Sequence, residues 1–261
     1  MAITESGASE RVRNRGTKVS PVLPSVNITW SPSAASIASD YIRTLIFDGV
    51  LRPGDRLPID DVAEALSVSR QPVREALVGL IADGLVVASP RRGTYVQRFD
   101  AEIIREHFDL YGLLEARAAV KVTERRDRKV IARLRELSRV GRSGADVEAV
   151  GKASVEFFRL IDTEGSGPRL RALLRTMTRF VPPRYWAEHV PGAAALQREG
   201  LANIFRAIER GEGVKARDRV RDMWTQGGEL LVRHLEAAGV FEEAHPDASD
   251  SLPPRGIGRR P

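Results

Sequence analysis

The stretch Ser69-Arg70-Gln71-Pro72-Val73-Arg74-Glu75-Ala76-Leu77 constrains this chain more than any other. Ser69 suits a helix N-cap, because its hydroxyl can accept a bond from an amide of the first turn. Pro72 falls inside that turn, where a missing N–H removes little. Val73, Ala76, Leu77, Leu80 and Ile81 then recur at helical spacing, so one face is built for burial. Arg70, Gln71 and Arg74 stand on the opposite side, near the N-terminal end. Arginine pairs in bidentate fashion with guanine in a major groove, and glutamine with adenine. The same residues would also suit a solvated basic face, so the neighbours decide.

A first helix is expected over about residues 33–50, with Ile37, Tyr41, Leu45 and Ile46 buried. Arg52-Pro53-Gly54-Asp55 should end it, since Pro-Gly is a strong turn signal. Asp60 or Asp61 opens a second helix with Val62, Ala63 and Leu66 inward, and Ser67-Val68 links it tightly to the Ser69 helix. That arrangement is a helix-turn-helix. The second helix carries Asp60, Asp61 and Glu64, so phosphate contacts are not expected from it. Gly84 should cap the third helix. Leu85–Ala88 and Thr94–Gln97 are β-type runs around Ser89-Pro90-Arg91-Arg92-Gly93, a hairpin with a basic tip that would form a wing. Arg91 and Arg92 can reach phosphate or the minor groove, and Gly93 lets backbone come close to DNA.

Asp55-Arg56-Leu57, the run from Val68 to Leu77, Leu80, Asp83-Gly84-Leu85 and Arg92-Gly93 together resemble the N-terminal domain of GntR-type bacterial transcription regulators. The resemblance covers about residues 37–97. It implies that Ser69, Arg70, Gln71 and Arg74 occupy the operator-touching positions of the recognition helix, with Arg92 and Gly93 at the wing tip. The Gln71 position is commonly Thr in that family, which implies a shifted sequence preference.

From Phe99 to about Val240 the pattern is helical throughout, with helices expected near 100–124, 127–141, 146–163, 167–188, 192–210 and 213–238. Gly141-Arg142-Ser143-Gly144, Glu164-Gly165-Ser166-Gly167 and Gly211-Glu212-Gly213 punctuate them. Pro182-Pro183 should kink or break the fourth. An antiparallel bundle follows. Its landmarks, Leu110–Glu115, Glu156-Phe157-Phe158, Gly165–Leu170 and Ala207–Glu212, resemble the C-terminal ligand-sensing FCD domain of the FadR branch.

Many members of that branch hold a divalent metal with one Asp and three His. The resemblance places Ser154 at the Asp position and Phe158, Leu201 and Met223 at the His positions. None of these side chains suits such an ion beyond a weak hydroxyl, so no metal site of this kind and no cofactor are expected. His107, His189 and His234 are spaced without forming a cluster. Tyr111 stands where many members have Arg. The apolar replacements could line a pocket for a fatty-acyl or other lipid-like effector, with Tyr111, Ser154, Phe158, Leu201 and Met223 around it, or could simply fill a dimerising bundle. Trp186, Trp224 and Tyr185 fit either picture. Among the acidic residues, Glu115, Glu156 and Glu199 are candidates for the bundle interior.

Composition excludes several classes. No cysteine is present, so disulfide frameworks and thiolate metal sites are ruled out. No long apolar run or signal-peptide core occurs, so a cytoplasmic protein without membrane association is expected. The net charge is +6, yet residues 33–98 hold eight Arg against eight acidic residues, so local placement and not bulk basicity must mark a DNA surface. No Ser-His-Asp order, Gly-rich phosphate loop or His-Glu-x-x-His pattern argues for an enzyme. The expected organisation is mainly α: a disordered basic tail (1–32), a winged helix-turn-helix domain (33–98), an antiparallel all-helical effector-binding and dimerisation bundle (99–240) and a disordered tail (241–261). The implied function is a DNA-binding transcription regulator, more naturally a repressor, that binds double-stranded operators as a homodimer. The alternative is a helical small-molecule-binding or metabolic protein whose winged domain is an interaction module.

Overall fold

A computed structural model of the protein describes residues 33–90, 92–140 and 146–241, apart from the side chain of Arg184. The expected tails and the wing residue Arg91 lie outside the described residues. Three helices come first: α1 (Ala34–Phe47), α2 (Ile59–Ala65) and α3 (Arg70–Ala82). Ser33 caps α1 by accepting a bond from the Ser36 amide. The buried side of α1 is Ala38, Ile42, Arg43, Ile46 and Phe47, whereas Ile37 is about half exposed and Tyr41 and Leu45 only partly covered. The helix is therefore turned by one residue from the orientation its large apolar side chains suggested. Ile42, Ile46 and Phe47 fill that face, and Arg43 shares it, its guanidinium paired with the Asp83 carboxylate at the end of α3 and bonded to Ser39 Oγ. That pairing makes an arginine a core residue.

A hairpin follows, β1 (Val86–Ser89) and β2 (Gly93–Val96), antiparallel with Val86 opposite Val96 and Ser89 opposite Gly93. The strands are displaced by one residue from the runs expected. The segment after α1 augments the hairpin: Gly54 N donates to Val96 O, Val96 N to Asp55 O and Leu57 N to Thr94 O. Asp55 Oδ2 in turn accepts from the Arg52 amide at 2.8 Å, closing the turn.

The bundle consists of α4 (Ala101–Arg125), α5 (Arg128–Val140), α6 (Val147–Gly165), α7 (Pro168–Met177), α8 (Pro183–His189), α9 (Ala193–Arg210) and α10 (Gly213–Ala237). As the two prolines require, the fourth expected helix is two, with Pro183 opening α8 where it needs no intrahelical N–H. α4 and α10 run antiparallel side by side: Val120 packs near Gly213, Trp224 near Gly112, and Arg105 pairs with Glu229 at the far end. Gly112 admits this closeness, since a Cβ there would sit 3.1 Å from that of Trp224.

Two apolar cores result. One fills the outer bundle with Leu134, Phe157, Ile161, Leu201, Ile204 and Ile208. The other is continuous from the winged segment into the bundle, joining Ile42, Phe47, Leu80 and Val96 to Phe108, Phe180, Tyr185, Leu231 and Val240. Phe47 at the end of α1 meets the Phe180 ring edge-on at 5.9 Å and that of Tyr185 at 5.5 Å.

Candidate functional site

Ser69 occupies the N-cap of α3 in extended backbone, but its hydroxyl makes no capping bond. Val73, Ala76, Leu77 and Leu80 are buried as expected, while Ile81, one residue before the end of α3, is 40% exposed. Arg70, Gln71 and Arg74 are exposed together at the start of the helix. Two of them already hold acidic partners. Arg70 Nε lies 2.6 Å from Asp60 Oδ1 of α2, and Gln71 Nε2 donates to Glu75 Oε1 at 3.0 Å. An exposed pair of this kind contributes about 0–1 kcal/mol, so a base edge or phosphate can displace it at little cost. Asp60 of α2 thus meets the first arginine of α3, a contact the sequence did not disclose.

At the wing, the Arg92 amide donates to Ser89 O and the Tyr95 hydroxyl to Arg92 O, fixing the turn. The Arg56 side chain lies over Gly93: a Cβ on Gly93 would come within 3.1 Å of Arg56 Nε. Arg56, bridged to Tyr95 through its backbone, therefore places an exposed guanidinium against the wing. Its motif marked it, but no role followed from spacing.

In the bundle a cavity of about 300 Å³ opens between the two cores. Tyr111, Ser154, Phe158 and Met223 line it together with Phe108, Trp186 and Trp224. Leu201 does not line it: this side chain is fully buried in the outer core, a correction to the expected set that follows from its place on the inward side of α9. A hydroxyl, a phenyl ring and a thioether give the cavity no ligand set for a divalent ion of the family's kind. Among the described residues no group of three or more His, Cys, Asp or Glu is placed to hold a metal.

His107 borders the cavity and stacks on Phe180 at 4.2 Å, and burial holds its imidazole down at about 4, so it is neutral near pH 7. His189 and His234 instead flank Tyr185, with ring stacking at 4.6 Å and an Oη to Nε2 contact of 2.7 Å. The Tyr185 hydroxyl also donates to Asp48 Oδ1 just after α1, at 2.8 Å. Of the three candidate interior carboxylates only Glu115 is inside. Glu156 pairs with Arg133 at 2.7 Å on the surface, and Glu199 is exposed.

The family profile described as bacterial regulatory proteins, gntR family, matches residues 35–96, and that of the FCD domain matches residues 106–226. An uncharacterised HTH-type transcriptional regulator of Mycobacterium tuberculosis is 34% identical over 146 residues, 56% of this chain and 60% of that protein. The match thus spans less than two thirds of that relative's length. HTH-type transcriptional regulator LutR of Bacillus subtilis is 26% identical over 222 residues, 76% of this chain and 99% of its own. Among solved structures, E. coli McbR/YncC shares the fold with a TM-score of 0.55 at 22% identity, over 77% of this chain and 98% of that one.

Proposed function

We propose, from the premise that this chain joins a GntR-family DNA-binding domain to an FCD domain, that it is a sequence-specific transcription regulator controlled by a small molecule. The observation that carries this reading is the exposed N-terminal end of α3, with Ser69, Arg70, Gln71 and Arg74 on it, followed along the chain by a hairpin whose turn bears Arg92. A helix presented this way fits a major groove, with the wing on the flanking backbone or minor groove. Arg91, Arg92 and Gly93 make up the proposed wing contacts. The protein works as a homodimer on two-fold symmetric operators, one recognition helix per half-site. Leu110 and Leu113, one turn apart on α4, and Val214 at the start of α10 are large exposed apolar residues and supply the dimer face. No described helix is long and apolar enough to cross a membrane, in keeping with work in the cytoplasm. We assign the bundle to the FadR branch by its landmarks and give it no catalytic role.

Effector occupies the cavity, whose apolar wall suits a hydrocarbon or aromatic body. The route to DNA is short. Met177, Thr178, Val181, Pro183 and Trp186 border the cavity, while Phe180 and Tyr185 from the same segment grip Phe47 and Asp48 of the winged half. A ligand that moves this segment would re-angle the recognition helices by as much as its affinities for the two arrangements differ. Repression relieved by ligand is the sign we propose.

The test is operator selection from random DNA with the full chain, followed by titration of variants. Arg70→Ala should weaken the selected site by about 1–3 kcal/mol and relax one base pair, whereas Arg92→Ala should weaken all sequences alike and flatten the salt dependence. Unchanged operator affinity in Arg70→Ala would refute the recognition-helix assignment. Failure to select any sequence would favour the winged domain as a protein-interaction module.

A further inference from the structure

Arg56 lies outside the recognition helix and outside the wing turn, yet it touches the second and leads into the first. Its backbone is bridged to Tyr95 of β2, and Leu57 N donates to Thr94 O, so this segment runs along the edge of the hairpin. Successive side chains of extended backbone point to opposite faces. Leu57 and Val96 turn into the core, which sends Arg56 to the other face with its bridge partner Tyr95. Its Nε, Cζ and Nη2 all lie within 3.7 Å of the point that a Cβ on Gly93 would occupy. Gly93 stands at φ +117°, and any side chain there would push the guanidinium off the wing. The acidic neighbour Asp55 is engaged elsewhere, accepting from the Arg52 amide. Arg56 is exposed, and among the described residues its guanidinium forms no ion pair.

The chain then runs directly from the wing to the reader. Asp60, four residues on, holds Arg70 Nε at 2.6 Å at the start of α3. Four residues span at most about 14 Å, close to the width of one major groove. The strip from Arg56 to Asp60 therefore ties the wing turn to the N-terminal end of α3. On a duplex, an element in the major groove and one at the adjacent minor groove are separated by a single sugar-phosphate strand. A guanidinium on the strip between them faces that strand. A planar guanidinium offers a phosphate two parallel N–H bonds and a full charge. The charge is needed there, because Asp60 and Asp61 would otherwise present only carboxylates to the DNA once Arg70 leaves Asp60 for a base.

We propose that Arg56 is a phosphate-binding residue of the DNA interface, gripping the strand that lies between the groove read by α3 and the groove met by the wing. Gly93 leaves the space in which its guanidinium is held ready. This rests on the reading of α3 and the wing as the DNA surface and adds a contact that neither element contains.

The test measures binding of the full chain to two duplexes of equal length, one selected from random DNA and one with that sequence scrambled, across a series of salt concentrations. Arg56→Gln should weaken both duplexes by the same factor and lower the salt slope by about 0.9. Raising salt from about 50 to about 200 mM should then cost wild type about 3.5-fold more affinity than the variant. Arg56→Lys keeps the charge and should keep the slope. Both variants should melt with wild type, since the side chain is exposed. Arg70→Ala serves beside them, because it should lose only the selected duplex. An unchanged slope in Arg56→Gln, while Arg70→Ala still loses the selected duplex, would overturn the Arg56 contact and leave the recognition helix standing. A loss confined to the selected duplex, or an Arg56→Lys slope as low as that of Arg56→Gln, would overturn it equally. Unchanged binding in both Arg56→Gln and Arg70→Ala would overturn the contact and the DNA surface together.

Discussion

The joint between the winged half and the bundle can be tested with a pair of alanines. Gly49 follows α1 at φ +72°, and a Cβ there would lie 2.6 Å from the carbonyl oxygen of Ala238, just beyond α10. Gly84 follows α3 at nearly the same angle, φ +76°, yet a Cβ there would meet nothing within 4 Å. Both substitutions incur the left-handed backbone penalty of about 1–2 kcal/mol, and for Gly84→Ala that should be the whole cost. Gly49→Ala adds an overlap with backbone that no rotamer change relieves. Overpacking of this kind costs about 1–3 kcal/mol, giving a total of roughly 2–5 kcal/mol. In a chain of this size each kcal/mol lowers Tm by about 2–4 °C, so Gly49→Ala should melt clearly earlier than Gly84→Ala. Thermal and urea unfolding of the full chain measure both. Equal losses would refute the close approach of α10's end to α1, and with it the joint proposed to carry the bundle's movement to the winged half.

Asp83→Ala should destabilise by about 3–5 kcal/mol in urea melts, because it strands the buried Arg43 charge, whereas Asp40→Ala at the exposed edge of that group should cost far less. Two groups give pH dependences of opposite sign. His107, held at about 4 against an ordinary 6.5, leaves stability intact above pH 6.5 and removes it as pH falls toward 4. Asp162, raised to about 6, favours folding at low pH and loses that contribution as pH rises through 6, each effect being roughly 3 kcal/mol. Glu115, fully buried and pushed far up, acts in the same direction as Asp162. Asp162→Asn should therefore melt higher than wild type at pH 7 and gain less, or lose more, stability on acidification; an unchanged slope would count against these environments. Leu113→Glu should convert dimer to monomer in light scattering if the α4 face pairs the subunits, and an intact dimer would place the interface elsewhere.

Elements whose information is local were legible in the sequence. Ser69 and Gly84 bracket α3 at the observed ends, Pro182-Pro183 splits α7 from α8, and the basic turn lies between two paired strands. What failed depends on partners far along the chain. Ile37 and Tyr41 look like core in the sequence, but the buried face of α1 carries Ile42, Phe47 and an Arg43 whose partner Asp83 lies forty residues away. Leu201 could be placed on α9 but not on the correct side of the cavity wall. Asp162 and Gln197 sit on two helices with no common motif, so their meeting at the cavity appears only once α6 and α9 are packed. Glu156 and Glu199 had equal standing with Glu115 in the sequence, and only packing separates them.

The core that runs without a break from Ala38 to Val240 bears on how chains of this kind exchange parts. A cut near residue 98 falls between β2 and α4, which suggests a clean module border, but it would leave Phe47 without Phe180 and Asp48 without Tyr185. A winged half grafted onto a foreign bundle would inherit that mismatch unless the end of α1, the start of α8 and the end of α10 travelled with it. The unit that can be moved intact is then the winged half together with its footprint on the bundle. Chimeras built on that footprint should respond to the donor sensor's ligand, and those spliced only at the linker should bind DNA but not hear it.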